Sequence, residues 1–254
     1  MTSARGRLLL VPNGLDLGTE TEVGLREVLP DGVISQAAGV SHWVVENAKS
    51  ARAFLKRVGA LLPLCQPLQA MKIVELPRPQ KGSGASLGSL EHLLAPTLDG
   101  HDVGLLSEAG LPAVADPGAG LVEAAHRLGL TVLPMSGPSS LMLALAASGL
   151  NGQSFAFVGY LPVASAERAS RIRELDQLSR RHAQTQLVIE TPYRNQALFA
   201  ALCAHLHVST RLSLACGLTL PGGWCRTLDV QAWRLQPVQL SDKIPAVFLW
   251  LARA

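Results

Sequence analysis

The chain has 254 residues, of which 48% are hydrophobic and 16% are charged. This balance excludes an intrinsically disordered protein and predicts a globular chain with one large domain or two smaller ones. The net charge of +3 and the aromatic content of 4% disfavour a nucleic-acid surface built on stacked rings, but they leave contacts to phosphate open.

The cysteines and histidines predict neither disulfides nor a metal site. The 4 cysteines lie far apart without a C-x-x-C pair, which is typical of free thiols in a reducing cytoplasm. His205 and His207 have no nearby third ligand, so we expect them on a helix surface and expect no metal. The first apolar run, residues 8–11, is too short for a signal-peptide core or a membrane span, and we expect no membrane association.

In the first half of the chain, short apolar runs alternate with helical patterns, which is typical of an α/β protein with a largely parallel sheet. The runs predict strands at residues 8–11, 43–45, 71–76, 103–106 and 131–133. Helical spacing predicts helices near residues 51–58, 87–99, 121–128 and 141–150. The last of these is apolar on all sides, so we expect it to be buried.

The second half repeats the alternation with a different order of elements. It predicts strands at 155–158, 187–189, 212–215 and 247–251, a charged helix over 166–181, and a helix that runs to residue 206. Because the later strands are not separated by long helices, we expect a mixed or antiparallel second sheet. A turn at 134–138 suggests the boundary between two domains, 1–136 and 137–254.

The segment after the fourth predicted strand is the first candidate site. Ligands in open α/β sheets sit at the carboxyl ends of the strands. Gly110 and Gly118 permit close backbone approach, and Ser107, Glu108 and Asp116 offer polar groups. Alternatively, this is a tight crossover loop in which Asp116 caps the following helix.

A glycine-rich stretch at residues 82–88 resembles a phosphate loop only superficially. Its spacing matches neither the G-x-G-x-x-G fingerprint nor the P-loop. We therefore interpret it as a surface loop.

Five short motifs follow one another along the chain: SEAG at 107–110, ADPG at 115–118, PMSGPS at 134–139, GYLP at 159–162 and ETPYR at 190–194. In this order they resemble the tetrapyrrole methylase superfamily, and most closely its small-subunit ribosomal RNA methyltransferase I branch, which methylates cytidine 2′-hydroxyls. The resemblance implies two α/β domains, a mostly parallel N-terminal sheet and a mixed C-terminal sheet, with helices on both faces. It also implies S-adenosylmethionine as cofactor, bound in the cleft between the domains, and a homodimer.

The resemblance further implies roles for individual residues. The loop near the methionine end of the cofactor would comprise Ser107, Glu108, Ala109, Gly110, Asp116, Pro117 and Gly118. Further cofactor contacts would come from Gly137, Pro138 and Ser139, and the adenosine would face Tyr193, Pro245, Ala246 and Val247. The substrate side would be lined by Pro12, Asn13 and Gly14.

The chain also departs from the pattern of the RNA enzymes. Glu108 stands where they usually carry Asp, and Glu-Asn-Ala-Lys at 46–49 replaces a typical Glu-Asp-Thr-Arg. Residues 77–84 differ from a stretch that is rich in Asn, His and Glu in those enzymes. All three differences fall near the expected substrate side, so the motifs support the cofactor better than the RNA substrate.

Methyl transfer to a hydroxyl needs a group that accepts its proton, and carboxylates are candidates. We expect Glu46 to be this base, while Asp116 and Glu190 are further candidates by location. Glu46 and Glu190 also end predicted strands, where such residues often cap helices instead.

The charged helix at 166–181 has an excess of arginine that suits RNA phosphates, including Arg180 and Arg181. Alternatively, it is an ordinary solvated helix with Ile172, Leu175 and Leu178 turned inward.

Three functions remain open from the sequence. The first is a methyltransferase that acts on structured RNA, which the closest resemblance favours. The second is a methyltransferase for a small molecule such as a tetrapyrrole, which the altered substrate loops favour. The third is a regulatory protein that binds S-adenosylmethionine without catalysis.

Overall fold

The computed structural model describes residues 5–16, 18–77 and 90–253. The predicted glycine-rich loop at 82–88 lies outside these ranges. The described residues divide into two units, the first within Met1–Leu17 and Val23–Pro138 and the second within Gly18–Glu22 and Ser139–Ala254. The sequence prediction set its domain limit two residues earlier and did not separate the short segment Gly18–Glu22.

The first unit contains a five-stranded parallel sheet. Its elements are β1 (Leu8–Val11), α1 (Leu25–Val28), α2 (Asp31–Gly39), β2 (His42–Val45), α3 (Ala48–Leu61), β3 (Lys72–Glu75), β4 (Val103–Leu106), α4 (Ala119–Arg127) and β5 (Val132–Pro134). Two 3₁₀ segments, Leu68–Ala70 and Glu91–Asp99, complete it. The strand order is β3-β2-β4-β1-β5, and all neighbouring pairs are parallel.

The central strands β1, β2 and β4 are mostly buried on both faces, which explains why they appear in the sequence as apolar runs, whereas the edge strand β3 is mostly exposed. Because side chains alternate along a strand, Leu9 and Val11 of β1 join a core with residues of α2 and α3. Leu8 joins the core on the other face, together with Leu121 and Ala124 of α4.

The second unit contains a mixed sheet, as predicted. Its elements are α5 (Ser140–Ser148), β6 (Phe155–Phe157), α6 (Ser165–His182), β7 (Thr185–Ile189), a 3₁₀ turn (Pro192–Arg194), α7 (Asn195–His205), β8 (Arg211–Cys216), β9 (Trp224–Asp229), α8 (Val230–Leu235) and β10 (Ala246–Leu251). The strand order is β6-β7-β10-β8-β9. The β6–β7 pair is parallel and the other three are antiparallel.

Two predictions about helices were wrong. The helix now labelled α5 is buried on one side only: Leu141 and Leu145 pack on the sheet, whereas Met142 and Leu143 are 43% and 39% exposed. The predicted helix at 87–99 is a 3₁₀ segment in its described part, with Pro96 inside it. Proline lacks the backbone N–H that the interior of an α-helix needs, so this segment forms a 3₁₀ helix instead of an α-helix.

No helix in the described ranges has the combination of length and apolar character that crossing a bilayer requires.

The centre of the first sheet depends on a glycine opposite a tryptophan. Trp43 of β2 pairs in register with Gly104 of β4, and its buried indole donates a hydrogen bond to the carbonyl of Val40 at 3.0 Å. A Cβ atom at Gly104 would lie 2.7 Å from the indole ring. Only glycine leaves room for the ring at this position.

We expect Gly104→Ala to lower the free energy of unfolding by ~1–3 kcal/mol, because the added methyl group overpacks a buried site. The control is Gly32→Ala in α2, where nothing lies within 4 Å of a new Cβ atom and alanine favours the helix. Urea unfolding of both variants measures the difference. Equal stability of the two would contradict this explanation of Gly104.

Candidate active site

The candidate site lies at the carboxyl edge of the first sheet. In the strand order β3-β2-β4-β1-β5, the chain leaves β1 towards β2 and leaves β4 towards β5, in opposite directions. The winding direction therefore changes between the neighbouring strands β1 and β4. Ligands of open α/β sheets bind outside the strand ends at such a switch point.

Hydrogen bonds from the turn after β1 hold the loop after β4. The backbone N–H of Asn13 donates to the carbonyl of Gly110 at 2.9 Å, and that of Gly110 donates to Gly14 at 3.3 Å. The buried Asn13 amide also donates to the carbonyls of Glu108 at 3.0 Å and Ser107 at 3.5 Å. The predicted substrate-side turn and the predicted cofactor loop are thus in direct contact.

The segment after β5 reaches the same edge. A Cβ atom at Gly137 would lie 2.2 Å from the Cβ atom of Pro12, so only glycine allows this approach. The carbonyl oxygen of Pro138 lies 3.5 Å from the ideal Cβ position of Gly110. The structure therefore brings together three of the segments that the sequence singled out.

Glu46 fixes the start of the loop after β4. Its backbone N–H donates to Leu106 at 3.1 Å, and its Oε2 atom accepts a hydrogen bond from the N–H of Glu108 at 3.0 Å. The alternative that Glu46 caps a helix is wrong, because the next residue does so. The side chain of Asn47 accepts from the N–H groups of Lys49 and Ser50 at the start of α3.

Asp116 is half-buried in the loop between β4 and α4. Burial raises the pKa of its carboxyl group to about 6, and the negative charges of Glu46 and Glu108 add to the rise, while a hydrogen bond with Ser107 opposes it. The alternative that Asp116 caps α4 is wrong, since Gly118 occupies the N-cap position without any side-chain capping bond.

The backbone around Asp116 is held in an unfavourable conformation. Ala113 and Ala115 both have φ of 65°, in the left-handed region. A side chain in that region costs ~1–2 kcal/mol per residue. Gly118, with φ of 137°, ends the loop. Such conformations persist only where the surrounding structure enforces them, and they are common at functional sites.

The remaining predicted cofactor residues belong to the second unit. The Ser139 side chain caps α5 by accepting from the N–H of Met142 at 3.5 Å. Tyr193 is 70% exposed, and the Arg194 guanidinium carbon lies 5.5 Å from its ring centroid. Pro245 is exposed, and Ala246 and Val247 are buried in β10.

Glu190 is unsuited to the role of a base. It is buried, and its Oε1 atom lies 2.8 Å from the Arg194 guanidinium in an ion pair. The same oxygen accepts a hydrogen bond from the N–H of Thr191 at 2.8 Å. The acidic residue of the ETPYR motif therefore holds the guanidinium of Arg194 in place.

A cavity of about 340 Å³ in the second unit was not anticipated from the sequence. Its lining includes Asn195, Gly217, Trp224 and Ile244, and none of the predicted site residues. The Asn195 amide donates to Ile244 at 3.1 Å. Nothing in the sequence pattern marks this position, apart from its place directly after the ETPYR motif.

Among the described residues, no group of three or more His, Cys, Asp or Glu side chains is placed to hold a metal ion. His205 ends α7 with its Nδ1 atom 3.4 Å from Arg173. The prediction was wrong for His207, which lies beyond the end of this helix and contacts Ser209. The four cysteines have free thiols. Burial raises the pKa of Cys203 to about 11 and that of Cys216 to about 12, which makes both thiols unreactive at neutral pH.

Part of the sequence is similar to ribosomal RNA small subunit methyltransferase I from several bacteria. The protein from Vibrio cholerae is 38% identical over 102 residues, which cover 40% of this chain and 34% of the relative. The Pseudomonas aeruginosa protein is 41% identical over 95 residues, 37% of this chain and 32% of the relative. The matched segment thus spans about a third of the length of these relatives. No family model matches the chain.

The fold is similar to solved methyltransferase structures along almost the whole chain. The methyltransferase CobJ aligns with a TM-score of 0.59 at 15% identity, covering 98% of this chain and 95% of the other. Uroporphyrin-III C-methyl transferase from Thermus thermophilus, complexed with S-adenyl homocysteine, aligns with a TM-score of 0.54 at 18% identity and covers 97% of each chain. The chain therefore has the α/β fold that the resemblance to the tetrapyrrole methylase superfamily predicted, and part of it is similar in sequence to ribosomal RNA small subunit methyltransferase I.

Proposed function

We propose that the protein is an S-adenosylmethionine-dependent methyltransferase that acts on ribosomal RNA. The observation that carries the proposal is the assembly of separate sequence motifs at one sheet edge. Asn13 and Gly14 bind the backbone of Gly110 there, and Gly137 packs on Pro12. The similarity to methyltransferases in sequence and in fold supports the same activity.

The proposed cofactor residues in the first unit are Ser107, Glu108, Ala109, Gly110, Asp116, Pro117, Gly118, Gly137 and Pro138. In the second unit they are Ser139, Tyr193, Pro245, Ala246 and Val247. Transfer of a methyl group from a sulfonium releases a neutral thioether, so the enzyme contributes mainly by positioning the two reactants. The hydrogen bonds that fix the loop after β4 suit this requirement, because they set the position of its backbone before any ligand binds.

The choice of RNA as acceptor rests on the names of the relatives and on α6. Ile172 and Leu175 are buried, so one side of this helix faces the core, as the alternative interpretation of an ordinary solvated helix also expects. Arg180 and Arg181 are exposed near its end. We propose that they contact RNA phosphates while the buried side anchors the helix.

A small-molecule acceptor such as a tetrapyrrole remains a second candidate, favoured by the altered residues on the proposed substrate side. A protein that binds S-adenosylmethionine without turnover is the third. We also propose a cytoplasmic location, from the widely separated cysteines, and a homodimer, from the resemblance.

Cofactor binding is tested by titration calorimetry with S-adenosylmethionine. We expect Asn13→Ala to weaken binding by about tenfold, because unpaired buried carbonyls cost ~1–3 kcal/mol each and the loop after β4 loses its support. The matched control is Asn151→Ala in the second unit. Like Asn13→Ala, it removes three side-chain hydrogen bonds, here one to Ala183 and two from Gln153 and Ser154. If the unmodified protein does not bind S-adenosylmethionine at millimolar concentration, the proposed function is wrong.

The acceptor is tested by transfer of a labelled methyl group into small ribosomal subunits or into a metabolite extract. Label in RNA supports the proposal, label in a metabolite supports the second candidate, and binding without transfer supports the third.

We expect the double variant Arg180→Glu/Arg181→Glu to lose RNA affinity and to lower the slope of log affinity against log salt by about 1–2, as expected for lost phosphate contacts. Arg26→Glu/Lys56→Glu makes the same change in net charge at exposed positions of the first unit and serves as the control. Equal losses in both variants would show that α6 makes no specific contact.

A further inference from the structure

A buried carboxamide in the cavity of the second unit has an oxygen without a partner. Asn195 lines this cavity and is 0% exposed. Its amide nitrogen donates to the carbonyl of Ile244 at 3.1 Å, which fixes the orientation of the carboxamide. Within the described ranges, its Oδ1 atom accepts no hydrogen bond. A buried acceptor without a donor is unfavourable, so this oxygen is a binding point for a donor group of a ligand.

Hydrogen bonds from the start of α7 hold one wall of the cavity. Gln196 donates to the carbonyl of Val238 at 3.4 Å, and its Oε1 atom accepts from the N–H of Leu240 at 2.8 Å. The bond from Asn195 to Ile244 holds the same segment of chain a few residues further on. Two neighbouring carboxamides therefore fix the wall at both ends.

The hairpin between β8 and β9 forms a second wall. The N–H of Gly217 donates to the carbonyl of Pro245 at 3.0 Å, and the carbonyl of Gly217 accepts from the N–H of Leu220 at 2.9 Å. A Cβ atom at Gly223 would lie 2.2 Å from the carbonyl oxygen of Gly217, so only glycine allows this close turn. Both walls are thus fixed by the backbone before any ligand binds.

The other lining residues suit a flat ligand with an anionic group. Ile244 supplies apolar surface, and Trp224 supplies a half-buried aromatic ring. The Lys243 Nζ atom lies 2.7 Å from the Glu20 Oε1 atom, and both of these side chains are largely exposed. An exposed ion pair of this kind is weak, so an anionic group of a ligand can replace Glu20 beside Lys243.

A nucleotide whose base has an exocyclic amino group combines these features. The amino group donates to the Oδ1 atom of Asn195, the planar base stacks well on an aromatic ring, and the phosphate is complementary to Lys243. A base with a carbonyl in place of the amino group would bring a second acceptor to Asn195. The cavity volume of about 340 Å³ is within the usual range of sites for small organic ligands.

We propose that this cavity is a nucleotide-binding site, in which Asn195 selects bases that have an exocyclic amino group. The site is distinct from the proposed cofactor contacts, none of which lines the cavity. Two sources supply such a ligand: an unpaired nucleotide of the acceptor RNA and a free nucleotide. Only the first source rests on the proposed function.

The test compares two pairs of nucleotides that differ at one group. Cytidine and adenosine monophosphate have an amino group where uridine and inosine monophosphate have a carbonyl. In titration calorimetry with the full chain, we expect the amino member of at least one pair to bind about tenfold more tightly than its partner, because the partner leaves the Asn195 oxygen without a donor. Equal affinities within both pairs, or no binding at millimolar concentration, would overturn the proposal.

Two neighbouring variants separate recognition of the base from support of the wall. Asn195→Ala removes the acceptor together with one hydrogen bond to the wall. The matched control, Gln196→Ala, removes two hydrogen bonds to the same wall, but Gln196 does not line the cavity. We expect Asn195→Ala to lose the preference for the amino base and Gln196→Ala to keep it. A preference that survives in Asn195→Ala would contradict the role of this residue.

The phosphate is tested by comparison of each nucleotide with its nucleoside. We expect Lys243→Gln to weaken binding of the preferred monophosphate by about two- to fivefold, the range of exposed ion pairs, and to leave binding of the nucleoside unchanged. Glu20→Gln should strengthen binding of the monophosphate, because it removes the group that competes for Lys243. Equal effects on nucleotide and nucleoside would show that the phosphate does not lie at Lys243.

Competition identifies the source of the ligand. Displacement of the bound nucleotide by small ribosomal subunits assigns the site to the acceptor RNA, and persistence of the bound nucleotide assigns it to a free nucleotide. Displacement by S-adenosylmethionine would make the cavity part of the cofactor site and overturn the proposal. The titrations require no methyl transfer, so S-adenosylmethionine binding without nucleotide selection contradicts this inference alone. Nucleotide selection without S-adenosylmethionine binding contradicts the proposed function alone.

Discussion

The hydrogen bonds from the turn after β1 to the loop after β4 are the constraint on which the candidate site depends. Asn13 supplies three of them, through its backbone and its side-chain amide, and Gly14 accepts a fourth. The two strands are neighbours in the sheet, and the connections that follow them run in opposite directions. The hydrogen bonds join the two loops at this edge of the sheet. Together with the hydrogen bond from Glu108 to Glu46, they fix the polar residues after β4 relative to the rest of the unit.

The central strands β1, β2 and β4 could be predicted because burial on both faces makes their composition mostly apolar. The sequence did not predict β9, whose residues are mostly half-buried at the sheet edge. It also missed α2, of 9 residues, and the short helices α1 and α8, of 4 and 6 residues. The two short ones are too brief for a helical period to appear. Helix α5 shows the opposite error, because an apolar composition alone does not tell which side of a helix finds a partner.

The segments of the candidate site could also be identified in the sequence, since strand ends and glycine-containing turns are visible there. The separate roles of its carboxylates could not. Glu46 and Asp116 are 70 positions apart, and only the fold shows that one of them binds a backbone N–H while its charge acts on the other. Glu190 was a further candidate by its location in the sequence, but the fold holds its carboxylate in an ion pair with Arg194.

The two alanines with positive φ before Asp116 have a consequence for how the loop can evolve. Glycine at position 113 or 115 would relieve the local strain, but it would also enlarge the set of conformations open to the loop in the unfolded chain and in partly open states. Compared with glycine, alanine at these positions adds conformational strain to the folded loop but loses less backbone entropy when the loop folds. The loop is thus restricted to few conformations by residues that carry no functional group of their own.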